Sequence, residues 1–336
     1  MKKLLCVLLA VGLSSCGEKE IAAFSLQGTV EGFEDGTVLL LQHNYKTIDS
    51  TTITNNTFSF HTKLTNAPIE AWLRVKDQPL AKMFWIENNP MTFDASKANF
   101  REATITGSET EKISDEFYKK IENVSDEEST KAEIAFVKTN PASIISASML
   151  SMYATSWGIE TTRKLYDQFS PENKNSFYGK EIAKFIELVK DPKIGEQYVD
   201  IALKDPQGTI KKLSDVQGKI ILLEFWASWC GPCRKENPNL VNNYKKYHSE
   251  GFEIFAVSLD SQKKDWVKAI EKDQLTWQHV SDLQDFKSDA ALVYGINSIP
   301  QNYLIAANGT IIARNLRGEK LTKKLAEIFT EKNNNL

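Results

Sequence analysis

The run Trp229-Cys230-Gly231-Pro232-Cys233 constrains this chain more than any other stretch, because of what flanks it. Ahead of it, Lys219 to Trp226 is almost continuously apolar, the pattern of a strand buried on both faces. Behind it, the spacing predicts a helix from about Pro232 to Tyr247. Two cysteines with two residues between them form either half of a zinc site or a redox pair, so the surroundings decide. A structural zinc needs four ligands, and this part of the chain adds only His248 and His279, in no ligand-like spacing. No metal or separate cofactor is therefore expected, and a strand that ends in Cys-x-x-Cys and opens a helix is the redox arrangement.

The other two cysteines lie near the N-terminus. Met-Lys-Lys, the apolar run Leu4 to Leu13 and Ser14-Ser15-Cys16 have the charged, apolar and small-residue regions of a secretory signal, and the apolar run is too short to span a bilayer. Leu13-Ser14-Ser15-Cys16 resembles the bacterial lipobox, which implies that residues 1–15 are removed and that Cys16 becomes the acylated N-terminus. Two or three acyl chains, at about 0.8 kcal/mol per buried methylene, make a stable anchor. The other reading is an ordinary secretory signal that ends near a cysteine. Cys6 leaves with the signal and Cys16 carries lipid, so only Cys230 and Cys233 remain as thiols and no structural disulfide framework is possible. The expected location is a bacterial cell envelope, as a membrane lipoprotein facing the periplasm. Loss of Lys2 and Lys3 takes the formal charge from −3 to −5, and no basic cluster appears elsewhere, so nucleic acid is not an expected partner.

About 320 mature residues exceed what one core normally holds. After a tether, 16–22, the stretch 23–108 reads as short strands: Phe24 to Val30, Thr37 to Gln42, Thr51 to Thr54, Thr57 to His61, Ala71 to Val75, Lys82 to Ile86 and Met91 to Phe93. Asn55-Asn56 is a turn between two of them. This spacing predicts an antiparallel sandwich or open barrel, in which the lone His43 and His61 are surface or packing residues. Between 109 and 193 the apolar residues recur at helical spacing, predicting a helical connector whose helices start at Asn140-Pro141 and at Ser170-Pro171. Its aromatics Tyr153, Trp157, Tyr166 and Phe177 are expected in a core.

Residues 194–336 alternate strand and helix. A hairpin-like lead-in, Tyr198 to Leu203 and Ile210 to Leu213, precedes the central strand and the redox helix. Strands follow at Glu253 to Leu259, Trp277 to Val280, Gln301 to Ala306 and Thr310 to Asn315, the last two joined across Asn308-Gly309. Helices are predicted at Lys263 to Asp273, near Phe286 to Tyr294, and at Lys320 to Thr330. The fold class is thus an α/β C-terminal domain with a mixed sheet flanked by helices, preceded by the β-rich domain and the helical connector.

Leu223-Glu-Phe-Trp-Ala-Ser-Trp-Cys-Gly-Pro-Cys233 resembles the active site of the thioredoxin superfamily. Within it the chain is most similar to TlpA/ResA-like membrane-anchored thiol-disulfide oxidoreductases. Supporting features are Leu213-Ser214-Asp215, Gly218-Lys219, the added strand and helix between Asp260 and Asp282, and Gly295-Ile296-Asn297-Ser298-Ile299-Pro300. Residues 23–108 resemble the β-rich domain of unassigned function often found ahead of such domains in bacterial lipoproteins.

The resemblance implies a redox-active Cys230–Cys233 disulfide. Cys230 sits where the first N–H groups and the positive end of the helix dipole converge, which stabilises a thiolate and marks it as the attacking nucleophile. Cys233, one turn in and less exposed, resolves the mixed disulfide. Gly231 and Pro232 shape the helix start, and Trp229 frames the cysteines, as does Trp226 unless it is mainly core. Pro300 is expected to carry a cis peptide bond that brings the Ile299 backbone within reach of an extended substrate. Glu224 occupies the place of a buried acid that takes the Cys233 proton, or else is a structural glutamate. Glu236 matches a glutamate that tunes the redox pair, or else is an exposed helix charge.

By this likeness the chain is a lipid-anchored enzyme that reduces, or isomerises, disulfides of exported proteins. Apocytochrome c cysteines are among its implied targets, a transmembrane thiol carrier is its implied electron donor, and Gly-Pro between the cysteines leans towards reduction. A peroxiredoxin-like peroxidase is an alternative, although the position seven before Cys230 is Leu223 where that family has proline. A third reading makes the front half a partner-binding envelope module with an accessory redox domain.

Overall fold

The computed structural model describes residues 23–44 and 46–333, so the proposed signal, Cys16 and the tether lie outside the described residues. The chain divides into two compact units with the boundary between Ala132 and Glu133.

The first unit contains β1 (Phe24–Val30), β2 (Val38–His43), β3 (Lys46–Thr52), β4 (Thr57–Thr62), β5 (Ile69–Val75), β6 (Ala81–Ile86), β7 (Pro90–Ala95) and β8 (Thr104–Thr106). They form two four-stranded sheets, ordered β4-β1-β7-β8 and β3-β2-β5-β6. The inward residues of both sheets share one core that includes Leu26, Leu41, Leu73, Phe84 and Phe93. Phe93 sits at its centre, with ring centroids 5.6 Å from Phe58, 6.0 Å from Phe84 and 5.0 Å from Phe100. This is the sandwich that the alternating pattern implies, with one departure: β1 and β7 run parallel. The short strand β8 was not legible because three residues, two of them exposed, carry no alternation. Asn55 and Asn56 both have positive φ, and Thr54 and Thr57 exchange two backbone hydrogen bonds around them, as a tight hairpin requires. His43 Nδ1 lies 2.7 Å from the Glu70 carbonyl and its Nε2 2.9 Å from Asn44 Nδ2. His61 is exposed on β4.

Helix α1 (Glu109–Ile121) belongs to this first unit, because Glu111 Oε2 accepts from the Trp85 N–H of β6 at 2.8 Å. The unit boundary falls inside α2 (Asp126–Thr139). The stretch 109–193 is therefore shared between the two units. Helices α3 (Ile144–Trp157), α4 (Ile159–Asp167), α5 (Pro171–Asn175) and α6 (Phe177–Leu188) belong to the second. Ser170 caps α5, accepting from the Asn173 N–H, with Pro171 in the first turn. The start expected at Asn140-Pro141 is displaced, since Asn140 closes α2 and the next helix begins after Ser143. The connector aromatics are also less buried than expected. Tyr153 and Trp157 are half-buried and stack at 5.4 Å, and Phe177 is 40% exposed beneath the Lys287 ammonium. Short helices paired over a narrow seam leave wide rings partly in water.

The rest of the second unit contains β9 (Ala202–Lys204), β10 (Ile210–Lys212), β11 (Ile220–Trp226), α7 (Gly231–Tyr247), β12 (Phe252–Ser258), α8 (Lys263–Asp273), β13 (Gln278–Val280), α9 (Asp289–Val293), β14 (Gln301–Ala306), β15 (Ile311–Arg314) and α10 (Glu319–Asn333). The five-stranded sheet is ordered β13-β12-β11-β14-β15, with β11 parallel to β12 and antiparallel to β14. Every residue of β11 is buried. Its even-numbered residues Ile220, Leu222 and Trp226 join a core with Cys233 and Leu240 of α7, Trp266 of α8 and Leu325 of α10. The odd-numbered Ile221, Leu223 and Phe225 join a second core with Leu213 and Ala291. The lead-in forms a separate two-stranded sheet, β10-β9, with strands shorter than the sequence implies. Helix α6 is tied to this domain by Lys184–Asp289 at 2.6 Å, and the chain after it by two hydrogen bonds to the Val293 carbonyl.

Gly28 of β1 lies opposite Phe58 of β4, and a Cβ there meets the Phe58 ring at 2.0 Å. Gly28→Ala is expected to destabilise the sandwich by about 1–3 kcal/mol through overpacking, read as a lower urea midpoint of the first unit. An unchanged midpoint refutes this.

Candidate active site

Cys230 and Cys233 are joined by a disulfide, with Cα atoms 5.2 Å apart. Cys230 is the N-cap of α7, and its sulfur accepts the Cys233 backbone N–H at 3.1 Å. An orphan donor of the helix end is thus satisfied by the Cys230 sulfur. Both residues are buried, at 4% and 1% exposure, so the contrast expected between them is slight while each sulfur covers the other. Exposed apolar surface beside them comes from Trp229, 55% exposed, with its ring 6.2 Å from Phe286. Gly231 and Pro232 are exposed in the first turn of α7. Trp226 is core, edge-on to His279 at 5.5 Å. His279 is buried between Trp226 and Trp277, and burial pushes its imidazole down to about 3, leaving it neutral.

Ile299–Pro300 is a cis peptide bond immediately before β14, with Pro300 buried. Ile299 packs against the core that contains both cysteines. Arg317, in the loop between β15 and α10, donates through Nη2 to the Pro300 carbonyl.

Glu224 lies between Leu222 and Trp226 on β11, and the two-residue period of a strand places it on the face that packs on α7. It is 2% exposed, and its Oε2 accepts no hydrogen bond among the described residues. Burial pushes its carboxyl up to about 8; a bond from Asn302 opposes the rise, negative Glu236 adds to it and Arg317 opposes it. Asn302, its register partner on β14, is itself fixed by two bonds to the Leu316 backbone. Glu236 is not a free surface charge. Its Oε1 accepts from the Gly318 N–H at 2.9 Å and from Asn239 Nδ2 at 2.7 Å, fastening α7 to the loop that carries Arg317.

Sequence reasoning missed a second group of polar residues that holds the loop before Cys230. Asp260, 1% exposed, accepts from the N–H and hydroxyl of Ser228 and from the Ser258 hydroxyl. Arg234 donates to the Ser228 carbonyl at 3.0 Å and forks onto Asp273 of α8. The only signal for Asp260 was its place at the end of an apolar strand, and nothing local pairs Arg234 with a residue 39 positions away. Among the described residues no group of three His, Cys, Asp or Glu is arranged to hold a metal, and no helix is long and apolar enough to cross a membrane.

A strand leading into a helix that a disulfide caps, in a domain with a cis proline at the start of β14, defines a thioredoxin-like thiol-disulfide oxidoreductase domain. The model of the AhpC/TSA family matches residues 194–314, and that of a domain of unknown function (DUF4369) matches residues 24–113. The thiol-disulfide oxidoreductase ResA of Halalkalibacterium halodurans is 31% identical over 137 residues, 41% of this chain and 75% of the relative. That of Geobacillus thermodenitrificans is 36% identical over 118 residues, 35% of this chain and 66% of the relative, just under two-thirds of its length. The crystal structure of the thioredoxin domain of a thiol-disulfide oxidoreductase from Bacteroides vulgatus is 34% identical and covers 41% of this chain and 98% of that one, with a TM-score of 0.39. The chain belongs to the family of ResA thiol-disulfide oxidoreductases.

Glu224 gives a signed pH prediction. Its folded carboxyl titrates near 8, against an ordinary 4.5, so the folded protein holds a proton that the unfolded chain releases. The resulting stability is complete below pH 4.5 and is lost as pH rises through 8, amounting to about 5 kcal/mol. Wild-type unfolding free energy is expected to fall across this window, and Glu224→Gln to flatten the fall. Parallel curves for the two proteins count against a buried, protonated Glu224.

Proposed function

We propose that this chain is a lipid-anchored reductase of the cell envelope that opens disulfides in exported proteins, with electrons from a membrane thiol carrier. The observation that carries the reading is the Cys230 sulfur at the N-terminus of α7, accepting the Cys233 N–H, next in sequence to exposed Trp229, in a domain that has a cis peptide bond at Ile299–Pro300. The N-terminal signal pattern and Cys16 support the anchor, and apocytochrome c cysteines are a candidate target.

The steps follow from the sulfurs. In the reduced enzyme the helix end stabilises the Cys230 thiolate, which attacks one substrate sulfur and forms a mixed disulfide. The other substrate sulfur leaves as a thiolate and takes a proton. Cys233 loses its proton and attacks the Cys230 sulfur, which closes the Cys230–Cys233 disulfide and releases the second substrate thiolate. Two electrons pass to the substrate, and a dithiol donor must return them. Glu224, on the strand face that packs on α7, is the proposed acceptor of the Cys233 proton when it is ionised, the minority form below about pH 8. Ile299 offers its backbone to an extended substrate segment.

Cys230→Ser is expected to abolish insulin reduction, and Cys233→Ser to accumulate mixed disulfides identifiable by mass spectrometry. Absence of adducts from an active parent reverses the assigned roles. Peroxide turnover as fast as insulin reduction favours the peroxidase alternative instead. Cys16→Ser is expected to lose acyl-chain labelling and membrane retention together. Because α3 to α6 belong to the second unit, deletion of residues 23–132 is expected to spare insulin reduction. Lost activity in a folded remainder implicates the sandwich in the site.

A further inference from the structure

Arg234 is four residues after Cys230 on α7, hence on the same face of the helix. Its backbone N–H closes the first turn on the Cys230 carbonyl at 3.0 Å. Its side chain turns back past that helix end to the Ser228 carbonyl, two residues before the cysteine. The same residue, Ser228, is held from its other side by Asp260, through both N–H and hydroxyl. Neither contact is a loose surface bond, since the side chains of Arg234 and Asp273 are only 25% and 15% exposed, and buried Asn237 gives Asp273 Oδ2 a further bond at 2.7 Å. Partial burial works against the charge on Asp273, yet the bonds from Arg234 and Asn237 and the guanidinium charge hold its carboxyl below the ordinary range. The pair is therefore ionised at neutral pH.

We propose that Arg234 is a positioning residue for thiol–disulfide exchange. It fixes the Ser228 carbonyl so that Trp229 and Cys230 keep their place, and it sets the reactivity of Cys230 through a positive charge that Asp273 of the added helix α8 tempers. This rests on the reductase reading of the site. It assigns the strand-and-helix insertion a function at the redox centre, since α8 supplies the carboxylate that anchors the guanidinium. The other charges around this end of α7 are Asp260 at the end of β12, Asp265, Lys268 and Lys272 on α8, which line the same cleft as Trp229 and Arg234, and Asp285 beside Phe286. Asp260 holds the N–H and hydroxyl of Ser228, while Arg234 holds its carbonyl with Asp273 behind the guanidinium, so Arg234 and Asp273 are the pair whose charge can be altered without breaking the Asp260 bonds.

The test measures the pH midpoint of Cys230 alkylation by iodoacetamide in the reduced full-length protein. Arg234→Gln and Asp273→Asn break the same ion pair but alter charge in opposite senses. The first is expected to raise the midpoint by about one pH unit and the second to lower it by a similar amount. Arg234→Lys keeps the charge without the fork, so its midpoint is expected to stay near that of the wild type while KM for insulin rises several-fold. Midpoints that move together, or not at all, overturn the proposal, as does an unchanged KM in Arg234→Lys. If Arg234→Gln fails to fold, Asp273→Asn alone decides: a lower midpoint supports the assignment and any other result rejects it. Alkylation needs a dithiol but no turnover. Opposite shifts in a protein unable to reduce insulin therefore overturn the reductase reading and leave standing only the control of Cys230 reactivity by Arg234 and Asp273.

Discussion

Strand β11 is covered on both faces along its whole length, and that burial sets the terms for everything around it. Two cores form against its alternating sides, one beneath α7 and one toward α9. A strand so enclosed delivers the chain to one fixed point, and the helix that follows must start there. Its first amide donors need an acceptor, and the acceptor is the Cys230 sulfur. The place of the disulfide is thus a consequence of how the strand ends.

The same enclosure explains the acid beneath the site. A glutamate in the middle of β11 has no route to water, so desolvation dominates its titration. Asn302 and Arg317 come to it from β14 and the β15–α10 loop, and Glu236 arrives from α7. The loop that carries Arg317 also reaches the Pro300 carbonyl. Acid, cis-proline segment and redox helix are tied together by one short stretch, Asn315 to Gly318, none of which belongs to the motif.

On the opposite side, Ser228 is held between Asp260 and the Arg234–Asp273 pair. Asp273 lies on α8, so that helix anchors the guanidinium that holds the Ser228 carbonyl. The neutral His279 and the tryptophans around it fill the space behind β12 and β13 as packing.

The order of strands and helices, the sandwich ahead of them and the Cys230–Cys233 pairing were legible in the sequence, because periods of two and 3.6 residues and the Cys-x-x-Cys spacing are local properties. Ser170-Pro171 was readable as a helix start for the same reason, whereas Asn140-Pro141 was not, since a proline is equally at home in a turn that precedes the cap. Only the tertiary structure decided that β1 and β7 run parallel, that the helical stretch is divided between two units, and that Glu236 is a fastener instead of a free charge. It also decided the partners of Glu224 and Arg234. Those pairings join residues tens of positions apart, and the energy of a buried charge depends on what surrounds it in space, which no local pattern records.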